Sequence, residues 1–212
     1  MLVAPDRRTR KRLATRQAIS DTATRLFFER GFDEVTVDEI AAAADVGRKT
    51  VFNHFPRKED MFFDRDEEIR EMLRAAVWQR VSGVSPIEAL RLLAHQLVKE
   101  QSYYVNFSAV SLGWVKTIES SETLKARARA VRDELSQVLT VVLAESIGQD
   151  PADPNAALAS GLILATWTVA LIQGHRTFRE RGNAGEAQAI LLALIDQGSI
   201  GLKAAMAGTP YA

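Results

Sequence analysis

The spacing of apolar residues along this 212-residue chain is helical from end to end. Near the N-terminus, four apolar residues fall at i, i+4, i+7 and i+8, so they share one face of a helix. They are Ile19, Ala23, Leu26 and Phe27. The pattern predicts a first helix over about residues 11–30, which Gly31 ends in the position of a left-handed C-terminal residue.

Two short helices are predicted next. Thr36 and Glu39 have the spacing of a capping box, in which a hydroxyl and a carboxylate satisfy backbone N–H groups of the first helical turn. An alanine-rich helix then runs into a turn at Asp45. A third helix over about residues 48–54 ends ahead of Pro56, which disfavours helix at the residue before it.

Longer helices follow, and no run shows the sustained alternation of a strand. They are predicted over about residues 57–80, 86–104, 122–147, 154–180 and 184–207, with 105–118 also helical. The sequence therefore predicts an all-α fold. Its N-terminal three-helix domain covers residues 1–62, and a larger helical domain covers 63–212.

The charges are unevenly placed. The chain has 27 Lys+Arg and 27 Asp+Glu, but residues 1–58 hold 12 basic and 8 acidic residues. Six cations near the N-terminus face only Asp6; they are Arg7, Arg8, Arg10, Lys11, Arg12 and Arg16. Such a basic arm is a common footprint of phosphate-backbone binding, and a solvated tail is an equally compatible interpretation.

Signatures of catalysis and of metal binding are missing from the sequence. There is no cysteine, no G-x-G-x-x-G or G-x-S-x-G motif, and no pair of histidines four residues apart. The sequence therefore predicts no enzyme, no metal and no cofactor.

One segment, residues 155–174, carries no formal charge and approaches the length of a membrane span. Its polar and alanine residues favour a core or interface helix instead. No apolar run typical of a secretory signal follows the N-terminal arginines. We expect a soluble, cytoplasmic protein with no membrane partner.

Residues 36–58 have the pattern of a helix-turn-helix, whose second helix enters the DNA major groove. That helix would bury Val51 and Phe55 against the alanine-rich helix. Its other face would present Arg48, Lys49, Thr50, Asn53 and His54. Arginine and lysine donate to guanine, and asparagine bonds adenine with two hydrogen bonds, so this face suits base reading.

Three stretches resemble the N-terminal DNA-binding domain of the TetR family of transcriptional regulators. They are Gly31-Phe32 with Thr36-Val37, then Ile40-Ala41-x-x-Ala44-x-Val46, then Thr50-Val51-Phe52-x-His54-Phe55-Pro56-x-Lys58-Glu59-Asp60. The resemblance covers about residues 12–62. It implies a homodimer on a palindromic double-stranded DNA operator and a C-terminal domain that binds a small effector. Repression released by ligand is the usual mode, although activators exist.

The resemblance also implies roles for individual residues. Base edges would be met by Arg48, Lys49, Thr50 and Asn53. The DNA backbone would be met by Thr36, Phe52, His54 and Lys58, the last at a helix N-terminus that also favours phosphate. The sequence departs from the family pattern in having Phe52 for Tyr, Asp45 for Gly in the turn and Gly47 for the Ser N-cap.

The last two helices offer a dimer interface, because small residues let helices approach closely. The predicted interface comprises Ala157, Gly161 and Ala165 on one helix and Leu191, Leu194 and Gly198 on the other, where Ala187 and Leu202 extend the line. Aromatic and histidine residues of the central region are candidates for an effector pocket. They are Trp78, His95, Tyr103, Phe107, Trp114, Trp167 and His175. Because basic residues are scarce there, the expected effector is hydrophobic or amphipathic.

Two other classes of function stay open from the sequence. One is a helical enzyme that binds a small molecule and carries an incidental basic arm. The other is a helical adaptor whose apolar faces bind another protein. Steep weakening of DNA binding by salt would separate the DNA-binding interpretation from the enzyme. Purification as a pure symmetric homodimer would count against the adaptor.

Overall fold

The computed structural model describes residues 6–212, and within this range the chain forms nine α-helices and no strand. The helices are α1 (Arg7–Arg30), α2 (Val37–Ala43), α3 (Arg48–His54), α4 (Asp66–Trp78), α5 (Pro86–Lys99), α6 (Ala109–Ser120), α7 (Glu122–Glu145), α8 (Pro154–Arg181) and α9 (Ala184–Ala205). Short 3-10 turns occur at Glu59–Met61 and Tyr103–Val105. The all-α prediction is confirmed.

The chain divides into two compact units. The N-unit comprises residues up to 66 together with 113–128, and the C-unit comprises 67–112 and 129–212. Residues 113–128 come from α6 and α7, which the sequence pattern assigns wholly to the second domain. They join the N-unit because Leu124 belongs to the same buried cluster as Phe27 and Val51.

Helix α1 begins earlier than the apolar pattern predicts. It starts at Arg7 rather than near residue 11, and Asp6 is its N-cap: the carboxylate accepts a 2.6 Å hydrogen bond from the backbone N–H of Thr9. The cap explains the difference, since a side-chain acceptor at this position satisfies a first-turn N–H that would otherwise fray. The basic arm is therefore the first part of a helix.

The turn between α2 and α3 follows local sequence signals. Thr36 and Glu39 form the predicted capping box. Asp45 lies in the left-handed region with φ of 52°, which aspartate tolerates better than most residues. Gly47 is the N-cap of α3 and supplies no side-chain hydrogen bond. α2 and α3 are thus two consecutive short helices joined by a tight turn, as in a helix-turn-helix.

The helix predicted over residues 57–80 is interrupted. A single 3-10 turn at Glu59–Met61 is followed by irregular backbone, and α4 starts only at Asp66. The Ser20 hydroxyl of α1 lies 3.0 Å from the carbonyl oxygen of Met61 and 2.6 Å from an Asp64 carboxylate oxygen. Both contacts are long-range in sequence, so helical periodicity did not predict them.

Within the C-unit, α8 and α9 form a tightly packed antiparallel pair. Gly198 of α9 lies so close to α8 that a Cβ atom there would collide with the Thr166 side chain. Leu191 of α9 is fully buried in the core of the unit. Leu191, predicted for the dimer interface, thus belongs to the core of one chain, and half-buried Gly198 packs against Thr166 of the same chain.

Helix α8 is also long and apolar enough to cross a membrane by length and composition. The same properties suit a helix that packs on one side and meets another chain on the other. Its inner residues Ala156, Ala159 and Ile163 belong to the core of the C-unit.

Candidate nucleic-acid interface

Helix α3 has one buried face and one exposed face. Val51 and Phe55 are completely buried in the N-unit core with Ile40 and Ala41 of α2. The side chains on the outer face are exposed or half-buried: Arg48, Lys49, Thr50, Phe52, Asn53 and His54. The division agrees with the sequence prediction and leaves the basic and amide groups of the outer face accessible to solvent.

Arg48, the first residue of α3, is held by a neighbour on α2. Its guanidinium lies 2.6 Å from the Asp38 carboxylate and 5.5 Å from the centre of the Phe52 ring. Both charged side chains are more than half exposed, so the pair adds little to stability. Its effect is to orient the guanidinium at the start of the helix.

Arg16 of α1 caps the other end of α3, a role that the sequence analysis missed. Its Nη1 donates a 2.6 Å hydrogen bond to the backbone oxygen of His54, and the guanidinium lies 4.0 Å from the centre of the Phe55 ring. The last carbonyls of a helix lack partners within the helix, so this contact satisfies one of them. The signal in the sequence was an arginine three residues before Ile19, in line with the buried stripe.

His54 lies half-buried beside this arginine. Its pKa is lowered from the ordinary value, mainly because burial disfavours the charged imidazolium and further because of the positive charges of Arg12 and Arg16. A neutral imidazole still offers one N–H donor, which suits a contact to a phosphate oxygen. Arg12 and Arg16 of α1 therefore act electrostatically on His54, the last residue of α3.

Lys58 points into the N-unit. Its ammonium donates to the backbone oxygens of Phe32 (2.8 Å) and Val35 (2.9 Å), and it lies 4.2 Å from the centre of the Phe32 ring. Burial lowers the pKa of this amine. The expected helix N-terminus at Lys58 is only the short turn Glu59–Met61. The ammonium holds the loop that leads into α2, and the phosphate contact of Lys58 stays a prediction.

Thr36 takes part in the cap of α2. Its hydroxyl oxygen accepts from the backbone N–H of Glu39 at 3.2 Å and donates to the Glu39 carboxylate at 2.8 Å. Hydrogen bonds from Thr36, and then the nearby Arg30 guanidinium, lower the pKa of Glu39 to about 2. The carboxylate thus stays ionised and keeps the first turn of α2 in place.

Comparison with known proteins agrees with this geometry. Residues 19–64 match the model of the bacterial regulatory proteins, tetR family. This segment is similar to the DNA-binding domain of that family. The HTH-type transcriptional regulator TcmR of Streptomyces glaucescens is 35% identical over 86 residues, which are 41% of this chain and 38% of the relative. The chain thus aligns with well under half the length of this curated relative.

Solved structures extend the likeness to most of the chain. A TetR-family transcriptional repressor from Thermus thermophilus, FadR in complex with lauroyl-CoA, has a TM-score of 0.52 at 26% identity over 86% of this chain and 94% of its own. The SmeT–triclosan complex has a TM-score of 0.56 at 16% identity over 89% and 91%, and shows the fold alone.

The predicted effector residues are divided between the two units. Trp114 belongs to the N-unit, where its ring stacks on Phe62 at a centroid distance of 5.1 Å. In the C-unit, Trp78 and Tyr103 are more than half exposed. Phe107 is buried with its ring 4.9 Å from that of His175. These placements separate the residues that the aromatic pattern had grouped.

The remaining two candidates, His95 and Trp167, belong to the α5, α8 and α9 region of the C-unit. Trp167 and Arg91 border a small open cleft, whose empty space of about 220 Å³ includes open solvent. One Asp196 oxygen lies 2.8 Å from both Arg91 Nη1 and His95 Nε2. Arg91 also pairs with Glu88, so a polar network lines one side of the cleft.

Proposed function

We propose that this protein is a sequence-specific DNA-binding transcriptional regulator, a homodimeric repressor that a ligand releases from a palindromic operator. The observation that carries the proposal is the outer face of α3, where Arg48, Lys49 and Asn53 are exposed. The buried Val51 and Phe55 fix the other face of the same helix. A rigid helix that presents such groups reads bases in the major groove.

The homodimer would use the outer face of α8 and α9. On α8, exposed residues recur at helical spacing: Leu158, Gly161, Leu162, Ala165, Val169 and Ile172. On α9 the exposed set includes Ile190, Ala193 and Ile200, with Ile200 71% exposed. A contiguous apolar surface of this kind marks a protein interface. The predicted Ala157, Gly161 and Ala165 are exposed on α8, whereas the contribution of α9 moves to residues that point away from the core.

Base reading by α3 favours a symmetric dimer whose two-fold axis passes through this face of α8 and α9. One short helix reads only a few base pairs, so useful specificity needs two half-sites read by a symmetric dimer. The effector would then act by binding more tightly to the dimer state that holds DNA less well. A hydrophobic or amphipathic effector is supported by the lauroyl-CoA bound to the Thermus relative. A cytoplasmic location accompanies this function.

The test is a selection of genomic fragments by the purified protein at about 50 and 200 mM salt. A palindromic site is the expected result. The Arg48→Ala and Asn53→Ala variants should each lose about 1–3 kcal/mol of binding free energy at one position of that site and relax selectivity there. Lys116→Ala removes one exposed charge from α6 and is the matched control.

Two results would reject the proposal. One is recovery of no fragment above background, also after refolding the protein to remove any bound ligand. The other is recovery of a site whose affinity and selectivity are the same for both α3 variants and for the control. Isolation of the protein with a tightly bound polar sugar or nucleotide would reject the hydrophobic effector alone.

A further inference from the structure

The N-terminal half of α1 carries cations that have no counter-ion within the described part of the chain. No acidic residue occurs between positions 7 and 20, and the one acid beside them, Asp6, is engaged as the N-cap. The ion pairs among the described residues do not include these cations. They are Arg7, Arg8, Arg10, Lys11 and Arg12.

This charge distribution opposes the helix that carries it. A helix N-terminus bears partial positive charge and favours acidic residues, but the first turn of α1 has none. Like charges four residues apart, such as Arg8 and Arg12, also disfavour the helix. An anionic partner outside the chain would remove both penalties.

Three arginines connect this charge to α3. Arg8, Arg12 and Arg16 recur every four residues and therefore follow one face of α1, here termed the arginine stripe. Arg16 is bonded to the His54 backbone at the end of α3, and the charge of Arg12 acts on the His54 imidazole. The stripe thus starts at the reading helix and continues outward for about 12 Å along α1.

We propose that Arg8 and Arg12 bind phosphates of duplex DNA outside the segment that α3 reads. The proposal rests on the proposed function, since α3 and the stripe must lie against the same duplex. A length of 12 Å equals the rise of about three to four base pairs, at 3.4 Å per phosphate on one strand. The contact extends the footprint of the protein without adding sequence information, because phosphates are the same in every sequence.

The experiment compares two double variants that remove equal charge from the same helix. Arg8→Ala/Arg12→Ala removes the free part of the stripe. Arg7→Ala/Arg10→Ala is the matched control, because these side chains lie about 150° away around the helix axis. Alanine favours helix, and far-UV circular dichroism checks that α1 is retained. Binding of a fluorescent 30-base-pair duplex of mixed sequence is measured from about 50 to 200 mM salt.

The salt exponent is the magnitude of the slope of log binding constant against log salt concentration. In the Arg8→Ala/Arg12→Ala variant it is expected to fall by about 1.8 per bound protomer. In the control variant it is expected to fall by less than half as much. An unchanged exponent in the stripe variant overturns the proposal. Equal losses in the two variants also overturn it, because they indicate diffuse attraction rather than contact by one face.

The proposed function fails separately from this inference. If the wild-type protein binds the mixed duplex but selects no genomic site, sequence-specific regulation is rejected while the comparison of the two variants still tests the stripe. If the wild-type protein fails to bind the duplex at the lowest salt, both are rejected.

Discussion

The backbone oxygen of His54, at the last residue of α3, accepts a 2.6 Å hydrogen bond from Arg16 of α1. The same guanidinium lies over the Phe55 ring. One side chain therefore satisfies a helix-end carbonyl and covers an aromatic ring of the N-unit core. The contact fixes the end of α3 to α1, the first helix of the chain.

Replacing Arg16 tests this link. Arg16→Ala should lower the free energy of unfolding by about 1–2 kcal/mol, because a hydrogen bond from a charged donor and a cation–π contact are both lost. Urea unfolding followed by circular dichroism measures the change. Gln17→Ala, at the exposed neighbouring position, is the control, and equal effects of the two substitutions would contradict a capping role.

Lys58 should act through stability rather than through phosphate binding. Lys58→Met keeps the length of the side chain but leaves the Phe32 and Val35 carbonyl oxygens without their donor. We expect a loss of about 1–3 kcal/mol in unfolding free energy. Lys49→Met, on the exposed face of α3, should be nearly neutral by the same measurement. If the Lys58→Met variant is stable and its salt exponent of DNA binding is lower by about 0.9, the result supports a direct contact between Lys58 and a phosphate.

The two faces of α9 should respond differently to substitution. Leu191→Ala opens a cavity in the buried core and should cost about 2–5 kcal/mol of unfolding free energy. Ile200→Glu places a charge on the proposed interface and should convert the dimer to monomers while the far-UV spectrum is kept. Sedimentation equilibrium measures the mass, with exposed Val110→Glu of α6 as the control. A dimer that survives Ile200→Glu would place the interface elsewhere.

Glu88 should contribute to stability only above acidic pH. Hydrogen bonds from Arg91 and then Lys203 lower its pKa to about 2, against 4.5 for the free side chain. Between these values the unfolded chain binds more protons than the folded one, so unfolding free energy rises with pH. The stabilisation is complete above about pH 5 and is lost as the pH falls toward 2. Glu88→Gln should flatten this part of the profile.

The control for the pH profile is Glu145→Gln, an exposed carboxylate on α7. It should leave the slope of unfolding free energy against pH as in the wild-type protein. An unchanged slope in Glu88→Gln as well would mean that the bridge from α5 to α9 adds nothing to stability. Urea midpoints measured from pH 2 to 6 decide between these outcomes.

Local signals in the sequence predicted the helix-turn-helix. The signals are the capping box of Thr36 and Glu39, the left-handed Asp45 and the stop at Pro56, and each acts on residues within about four positions of it along the chain. Their geometry is set by neighbours along the chain, so a single sequence is enough to place α2 and α3. The buried pair Val51 and Phe55 follows from helical period alone.

Local sequence patterns could not predict contacts between segments that are distant along the chain. The direction of Lys58 depends on carbonyls more than twenty residues away, and the capping of His54 depends on a residue of α1. The aromatic pattern did not reveal that Trp114 packs in the N-unit, because periodicity shows that a residue is buried but not against which core.

Patterns along the chain were enough to predict the all-helical fold, the position of the helix-turn-helix and the resemblance to a family. They could not show which face of α9 is core, because Leu191 and Ile200 lie on the same apolar helix and only the first is covered by other helices of the chain. Hydrophobic residues at helical spacing predict that one face of a helix is buried. Whether the covering surface is the same chain or a second one depends on how the helices pack, and that information is not local.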